Sequence, residues 1–325
     1  MRVERPGDEP PRADGVVDVA VLDMNHRYPN LGHASVVETL LAIGHRERRA
    51  LGARAPEFRV LSYDVRGGCA VPSDASRFAI LVGTGGPGQL DPRRNDGVSE
   101  ASQGVKEDPG WEAPLFALFD HVLADERAAL FGICHTFGLL SRWAGVAEAV
   151  RRGPGKGGKS AGVVRNYLTG SARAHPWFAG LWQASGGPEI EVLDSRLFDL
   201  VPTGRGRADV LAHEAPDGGA DGVVTMFELA RDAEGVLPRV WGVNHHPEIG
   251  DRGQQRDRLD RMAARGEVSE AWIAERRAAM EAWSASQRQE RKLQLTSAFT
   301  FERPLRRYVA RALGEPRALR ARPRA

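Results

Sequence analysis

Cysteine is nearly absent from this chain: its 325 residues contain two, Cys69 and Cys134. Two cysteines do not make the framework of a disulfide-stapled domain, and a reducing cytoplasm is the expected home. No apolar run is long enough to span a bilayer, and the opening residues Met1-Arg2-Val3-Glu4-Arg5-Pro6 lack the apolar centre of a secretory signal. A membrane is therefore not among the expected partners. Charge of one sign is also missing, since 45 Lys and Arg stand against 43 Asp and Glu for a net charge of +2. Proteins that coat nucleic acid carry a large basic excess, so no nucleic-acid partner is expected. No Cys/His cluster has the spacing of metal ligands, and neither a metal nor another cofactor is expected.

What is present is an alternation of apolar runs and helical patterns. The length suits one large domain, or one domain with an appendage. Residues 1–15, rich in Pro, Asp and Arg, read as a disordered tail. Val16–Leu22 reads as a first buried strand, with Asp23-Met24-Asn25 at its end. Ser35 with Glu38 matches a capping box and predicts a helix start. Phe58–Tyr63 and Ala79–Gly83 read as the next strands, and Gly162–Leu168, Glu189–Leu193 and Val223–Glu228 as later ones. Strands alternating with helices imply a parallel sheet covered on both faces, hence an α/β protein.

Two segments carry chemistry. The first is Gly132-Ile133-Cys134, after the apolar stretch Ala128–Phe131 and before Leu139, Leu140, Trp143, Ala144 and Val146 at helical spacing. A strand, a cysteine and a helix in that order form a nucleophile elbow. The helix start would set N–H groups and positive dipole beside the sulfur, which favours the reactive thiolate. A buried core cysteine is the commoner fate of a lone Cys, and the elbow by itself leaves that reading open.

The second segment, Trp241-Gly242-Val243-Asn244-His245-His246-Pro247-Glu248, follows a short run suited to a central strand. Pro247 ends strand pairing and projects its neighbours into a loop. Two histidines compete for the role of base. His246 has Glu248 two residues on, which suits a base and the carboxylate that orients it. Alone, the pair reads more readily as surface histidines at a turn.

With a third motif, Thr84-Gly85-Gly86-Pro87-Gly88 after a strand, these segments resemble the class I glutamine amidotransferase domain over residues 16–250. That family pairs a Gly-x-Cys-x-Gly-x-Gln elbow with Gly-Val-Gln-Phe-His-Pro-Glu and a Gly-Gly-Pro-Gly loop, in the order found here. The resemblance implies a flavodoxin-like three-layer sandwich with a mostly parallel sheet. It implies Cys134 as nucleophile, His246 as base and Glu248 as its orienter, with the N–H groups of Gly86 and His135 as oxyanion hole. Gly85, Thr136, Gly138, Asn244 and His245 fall at substrate-binding positions. His175-Pro176-Trp177-Phe178-Ala179-Gly180-Leu181 resembles a further helix of the family.

The sequence departs from the pattern at Thr136 for Gly, Gly138 for Gln, Asn244 for Gln and His245 for the aromatic. The implied activity is release of ammonia from a side-chain amide, with glutamine as substrate and a separate synthetase or acceptor-binding partner. The alternatives are a stand-alone γ-glutamyl hydrolase or acyl-transfer enzyme, and a binding or regulatory protein that keeps the fold without turnover.

Four stretches lie outside those motifs. Residues 91–110 read as a surface loop, a lid or partner contact that could be deleted without loss of folding. Gly153-Pro154-Gly155-Lys156-Gly157-Gly158-Lys159-Ser160 matches Walker A spacing. A helix before it and a strand-like Gly162-Val163-Val164 after it reverse the context that motif needs, so nucleotide binding is not expected. Residues 251–313 read as a helical extension, broken near Gly266 and carrying Trp272 and Trp283, either packed on the core or offered to a partner. Residues 314–325, with Arg317, Arg320, Arg322 and Arg324, read as a solvated basic tail.

Overall fold

Residues 1–219, 222–282 and 286–314 are described by the computed structural model. Its strands in chain order are β1 (Arg2–Val3), β2 (Val16–Asp23), β3 (Glu57–Asp64), β4 (Phe78–Gly83), β5 (Ala129–Ile133), β6 (Ala147–Arg151), β7 (Ser160–Leu168), β8 (Glu189–Arg196), β9 (Phe198–Pro202), β10 (Asp209–His213), β11 (Val224–Arg231) and β12 (Pro238–Val243). The helices are α1 (Leu31–Leu51), α2 (Val65–Gly68), α3 (Glu112–Ala124), α4 (His135–Trp143), α5 (Gly170–Ala174), α6 (Ala179–Ser185), α7 (Arg252–Ala264), α8 (Glu270–Ala282), α9 (Gln287–Ser297) and α10 (Arg303–Gly314).

One sheet runs β1-β3-β2-β4-β5-β12-β11-β10-β7-β8, and β6 pairs with β9 in a separate ribbon. From β1 through β12 every pairing is parallel. From β12 to β8 every pairing is antiparallel. In β2, Val17, Val19 and Val21 join one core while Ala20 and Leu22 join the other. Val36, Leu40 and Ile43 of α1 cover the first face, and Leu115, Phe119 and Val122 of α3 with Phe137 and Leu140 of α4 cover the second. Burial on both faces is why this strand is mostly apolar instead of alternating, its buried Asp18 being met by Arg59 and Arg77. This is the expected three-layer α/β sandwich with its C-terminal helices, and its parallel half carries the flavodoxin-like order in which β2 lies between β3 and β4.

The C-terminal helices close the first face. Phe301, Leu305, Val309 and Leu313 are buried in the same core as β2 and β5. Trp241 of β12 donates from Nε1 to Thr300 O at 3.1 Å, and the Tyr308 hydroxyl donates to Pro238 O at 3.0 Å. Gly266, at φ 65°, separates α7 from α8 as expected. Of the basic tail, only Gly314 is among the described residues; the rest of it and Trp283 lie outside them.

Three expectations need correction. Residues 1–15 are not a free tail: Arg2 and Val3 pair with Ser62 and Tyr63, and Arg77 holds Glu9 Oε1 at 2.7 Å and Pro10 O at 2.6 Å. A guanidinium fork gives this polar stretch fixed partners that composition does not reveal. Ser35 is not the N-cap of α1. Asn30 caps it, accepting from His33 N at 3.0 Å, while Ser35 donates back to Leu31 O and receives Arg258 at 2.8 Å. Residues 91–110 are not a detachable loop. Glu107 receives both arms of Arg66 at 2.7 and 2.8 Å, and neither side chain is exposed (0 %). Asn95 and Trp111 also donate to Glu107, so the segment, although largely on the surface, is anchored by buried side chains.

Candidate active site

The end of β5 turns sharply into α4, and Cys134 is the turn. Its φ of 47° and ψ of −97° put a residue with a side chain in the left-handed half of backbone space. Such a conformation costs on the order of 1–3 kcal/mol and persists only where neighbours over-determine it. Here Cys134 N donates to Val243 O at 2.8 Å, Gly138 N to Cys134 O at 2.9 Å and Thr136 N to Thr84 O at 3.3 Å. These bonds tie the elbow to the ends of β12 and β4.

Missing side chains make the room. A Cβ on Gly85 would lie 2.8 Å from His246 Cε1 and 3.5 Å from Cys134 Cβ, so this glycine lets the loop pass beside both. A Cβ on Gly83 would lie 2.2 Å from Thr136 Cγ2. Glycine at 83 thus accommodates the β-branched residue that replaces the elbow's second glycine, and the Thr136 hydroxyl donates to Thr84 O at 2.8 Å. A Cβ on Gly138 would meet Leu90 Cδ1 at 2.5 Å. Leu90 therefore fills the space beside the helix where the family pattern has glutamine.

His246 follows β12 and receives its place from β8, because its N–H donates to Leu193 O at 2.8 Å. Its Nδ1 is 2.8 Å from Glu248 Oε1, with the ring 15 % and the carboxylate 2 % exposed. Burial opposes charge on this ring, but the charges of Glu248 and Cys134, and hydrogen bonds to both, outweigh it and hold the pKa well above the ordinary histidine value. Glu248 itself lies against the first turn of α1: a Cβ on Gly32 would be 2.7 Å from Oε1.

The neighbouring histidine is its opposite. His245 is 2 % exposed and neither ring nitrogen has a hydrogen-bond partner. Burial, then the charges of His246 and Arg196, push its pKa down to about 3, so it is neutral at physiological pH. His135 is buried too. Burial and the Arg66 charge hold its ring well below the ordinary value, against a hydrogen bond with the Gly86 backbone.

A cavity of about 60 Å³ opens beside the sulfur. Of the residues expected at the site, Cys134, Gly86, His135, Gly138 and Asn244 line it. His246 and Glu248 stand behind the cysteine. Thr136 and His245 are not on the cavity wall: Thr136 is fully buried against Thr84, and His245 is buried beside Arg196 and His246. Gln103, Ser195, Arg196 and Phe198, which sequence reading missed, also line the cavity, as do Lys159 of the glycine-rich stretch and Gly88, Leu90, Leu197 and Leu200. Sequence reading also missed Arg66, whose Nη1 donates to Met24 O at 3.0 Å and Pro87 O at 2.6 Å and so holds the glycine loop in place. The usable signal was Lys159, which stands in the glycine-rich stretch set aside as a false Walker motif. That stretch joins β6 to strand β7, with no helix after it.

Among the described residues no three His, Cys, Asp or Glu side chains converge as metal ligands, and no helix is long and apolar enough to cross a membrane.

No family model matches the sequence, and no curated protein matches it. Solved structures match by fold. A glutamine amidotransferase from Thermotoga maritima is similar with 17 % identity and a TM-score of 0.51, over 89 % of this chain and 98 % of that one. A glutamine amidotransferase from Methylobacillus flagellatus shares 14 % identity over 92 % of this chain and 93 % of that one, with a TM-score of 0.45. The first likeness shows the fold: this chain is built on the architecture of the glutamine amidotransferases, as its motifs led us to expect.

Proposed function

We propose that this chain is a cysteine-dependent amidohydrolase of the glutamine amidotransferase type, which frees ammonia from a small side-chain amide, glutamine being the reference substrate, for an acceptor held by a separate protein. The observation that carries the reading is Cys134 at a strained elbow, beside Gly85 together with a His246 ring that Glu248 orients at 2.8 Å. Core packing alone gives no reason to hold a thiol, an imidazole and a carboxylate together against their desolvation.

In this reading the Cys134 thiolate attacks the amide carbonyl carbon. The N–H groups of Gly86 and His135 receive the oxyanion, and each such donor is worth on the order of 3 kcal/mol in the transition state. The C–N bond breaks as the His246 imidazolium gives its proton to the leaving nitrogen, which departs as ammonia. His246, now neutral, takes a proton from water, whose oxygen attacks the thioester. The C–S bond breaks, the thiolate returns, and the net change is amide plus water to carboxylate plus ammonium. Glu248 keeps the ring oriented and stabilises its charged form.

The cavity beside Cys134 supports a small carboxamide. Leu90 in place of the elbow glutamine favours the second reading, a stand-alone γ-glutamyl hydrolase or acyl-transfer enzyme. A cytoplasmic setting fits two free cysteines, one of them chemical. The test is ammonia release from glutamine by the full chain beside Cys134→Ala. Release that disappears in the variant supports the proposal. Equal release from both, or turnover of γ-glutamyl peptides with none of glutamine, overturns it.

A further inference from the structure

The cavity wall opposite Cys134 comes from the antiparallel half of the sheet, and its charge is uneven. Arg196, 5 % exposed, lies 3.4 Å from Asp194 Oδ2, 3.4 Å from Asp199 Oδ1 and 3.1 Å from Glu214 Oε2. Arg152 and Lys156 share the last two carboxylates, at 2.7–3.3 Å. The three cations and three anions balance. Lys159 is left over: it lines the same cavity and makes no ion pair among the described residues. It is aimed there by a turn that only glycine adopts readily, with Gly157 at φ 80° and Gly158 at φ 69° and Lys159 N donating to Gly157 O at 2.7 Å.

Buried on the wall, Asn244 Nδ2 (4 % residue exposure) and His135 Nε2 have no hydrogen-bond partner, while Arg196 Nε and Nη2 already face the carboxylates of Asp194, Asp199 and Glu214. Among the described residues no Asp or Glu side chain lines the cavity. A buried amide N–H without an acceptor, beside a cation without an ion pair, favours an acceptor-rich anion. Nothing of opposite charge on the wall waits for an ammonium.

Resting on the reading of Cys134 as nucleophile, we infer that the site selects a small primary amide by a carboxylate held between Lys159 and Asn244, and needs no ammonium on the substrate. The preferred class is the monoamide of a short dicarboxylic acid, of which glutamine is the α-amino member. Lys159 is the specificity-determining residue, because it alone supplies net charge.

The test uses the full chain, with Lys159→Glu, Lys159→Ala and Lys159→Arg; the residue is exposed, so the variants should fold. Ammonia release is compared for glutamine, its des-amino analogue glutaramate and its cationic α-amide. In parallel, alkylation of Cys134 by anionic iodoacetate and neutral iodoacetamide is followed by peptide mass, iodide being displaced by the thiolate in both. Cys69 is the internal reference. We expect glutaramate to be turned over with kcat/KM within about threefold of glutamine, and the α-amide about tenfold or more slower. We expect Lys159→Glu to lower the iodoacetate-to-iodoacetamide ratio at Cys134 by about tenfold and Lys159→Arg to preserve it. An unchanged ratio in Lys159→Glu overturns the anion subsite, and a strict demand for the ammonium overturns the substrate class. A shifted ratio with no hydrolysis of any amide would sustain the subsite while removing the amidohydrolase reading itself.

Discussion

β5 and β12 lie side by side in parallel register, Ile133 against Val243, and their ends deliver Cys134 and His246. β8, at the far edge of the antiparallel half, curls back until Leu193 O accepts from His246 N, and its end delivers Ser195 and Arg196. The parallel half holds the groups that resemble a known reaction centre, on strands whose register leaves little freedom. The antiparallel half supplies the wall that meets the rest of a substrate, from a strand end and a glycine-rich loop. Departures from the family pattern do not follow that division: Thr136 and Gly138 lie in α4, and Asn244 and His245 follow β12, beside Cys134, His246 and Glu248. Lys159 and Arg196 come from the antiparallel half.

The largest effect should come from the parallel half. His246→Ala should lower kcat/KM by on the order of 10³-fold and slow alkylation of Cys134 by iodoacetamide at pH 7, whereas His245→Gln should leave alkylation within about twofold. Stopped assays and peptide mass spectrometry would read both, and a slow His245→Gln with a normal His246→Ala would reverse the assignment of the base. Glu107→Ala comes next, because it strands the fully buried Arg66 that holds the glycine loop. Urea unfolding should show a loss of about 3–5 kcal/mol, and an unchanged midpoint would mean that residues 91–110 are dispensable after all.

The two adjacent histidines should also separate by pH. His245, neutral in the fold with its pKa near 3, stays uncharged while the unfolded chain begins to take up its proton near pH 6.5. Stability from this residue is therefore present above about pH 6.5 and is lost as pH falls toward 3. His246 has the opposite sign, its contribution complete below about pH 6.5 and lost as pH rises through its raised value. Thermal midpoints from pH 4 to 9 should show His245→Gln losing less stability in acid than wild type; a parallel acid limb would show that this ring is not what fails.

The smallest effect sharpens the comparison within one elbow. Gly83→Ala sets a methyl 2.2 Å from Thr136 Cγ2 and should cost about 1–3 kcal/mol, which Thr136→Gly in the same chain should largely restore. Additive losses in the double variant would show that Gly83 does not accommodate Thr136.

Much of the reaction centre was legible because it is local. A strand, a cysteine and a helix are adjacent in sequence, and His246 and Glu248 are two residues apart, while setting Cys134 beside His246 rested on the resemblance. Parallel strands were legible because burial on both faces makes them mostly apolar. The Arg66–Glu107 pair was hidden because its members are 41 residues apart and each looks like an ordinary surface charge. Ser35 misled because Ser followed by Glu38 looks like a cap, yet its hydroxyl serves α7, 220 residues away.

Sequence by itself determined the α/β class, the order of the apolar strands, the elbow at Cys134 and the pairing of His246 with Glu248, all consequences of short-range pattern. Tertiary structure decided which histidine carries charge, since His245 and His246 differ only in what surrounds them. It also decided that Lys159 stands over the cavity with no counter-ion among the described residues, because charge balance between strands far apart in the chain is a property of their packing.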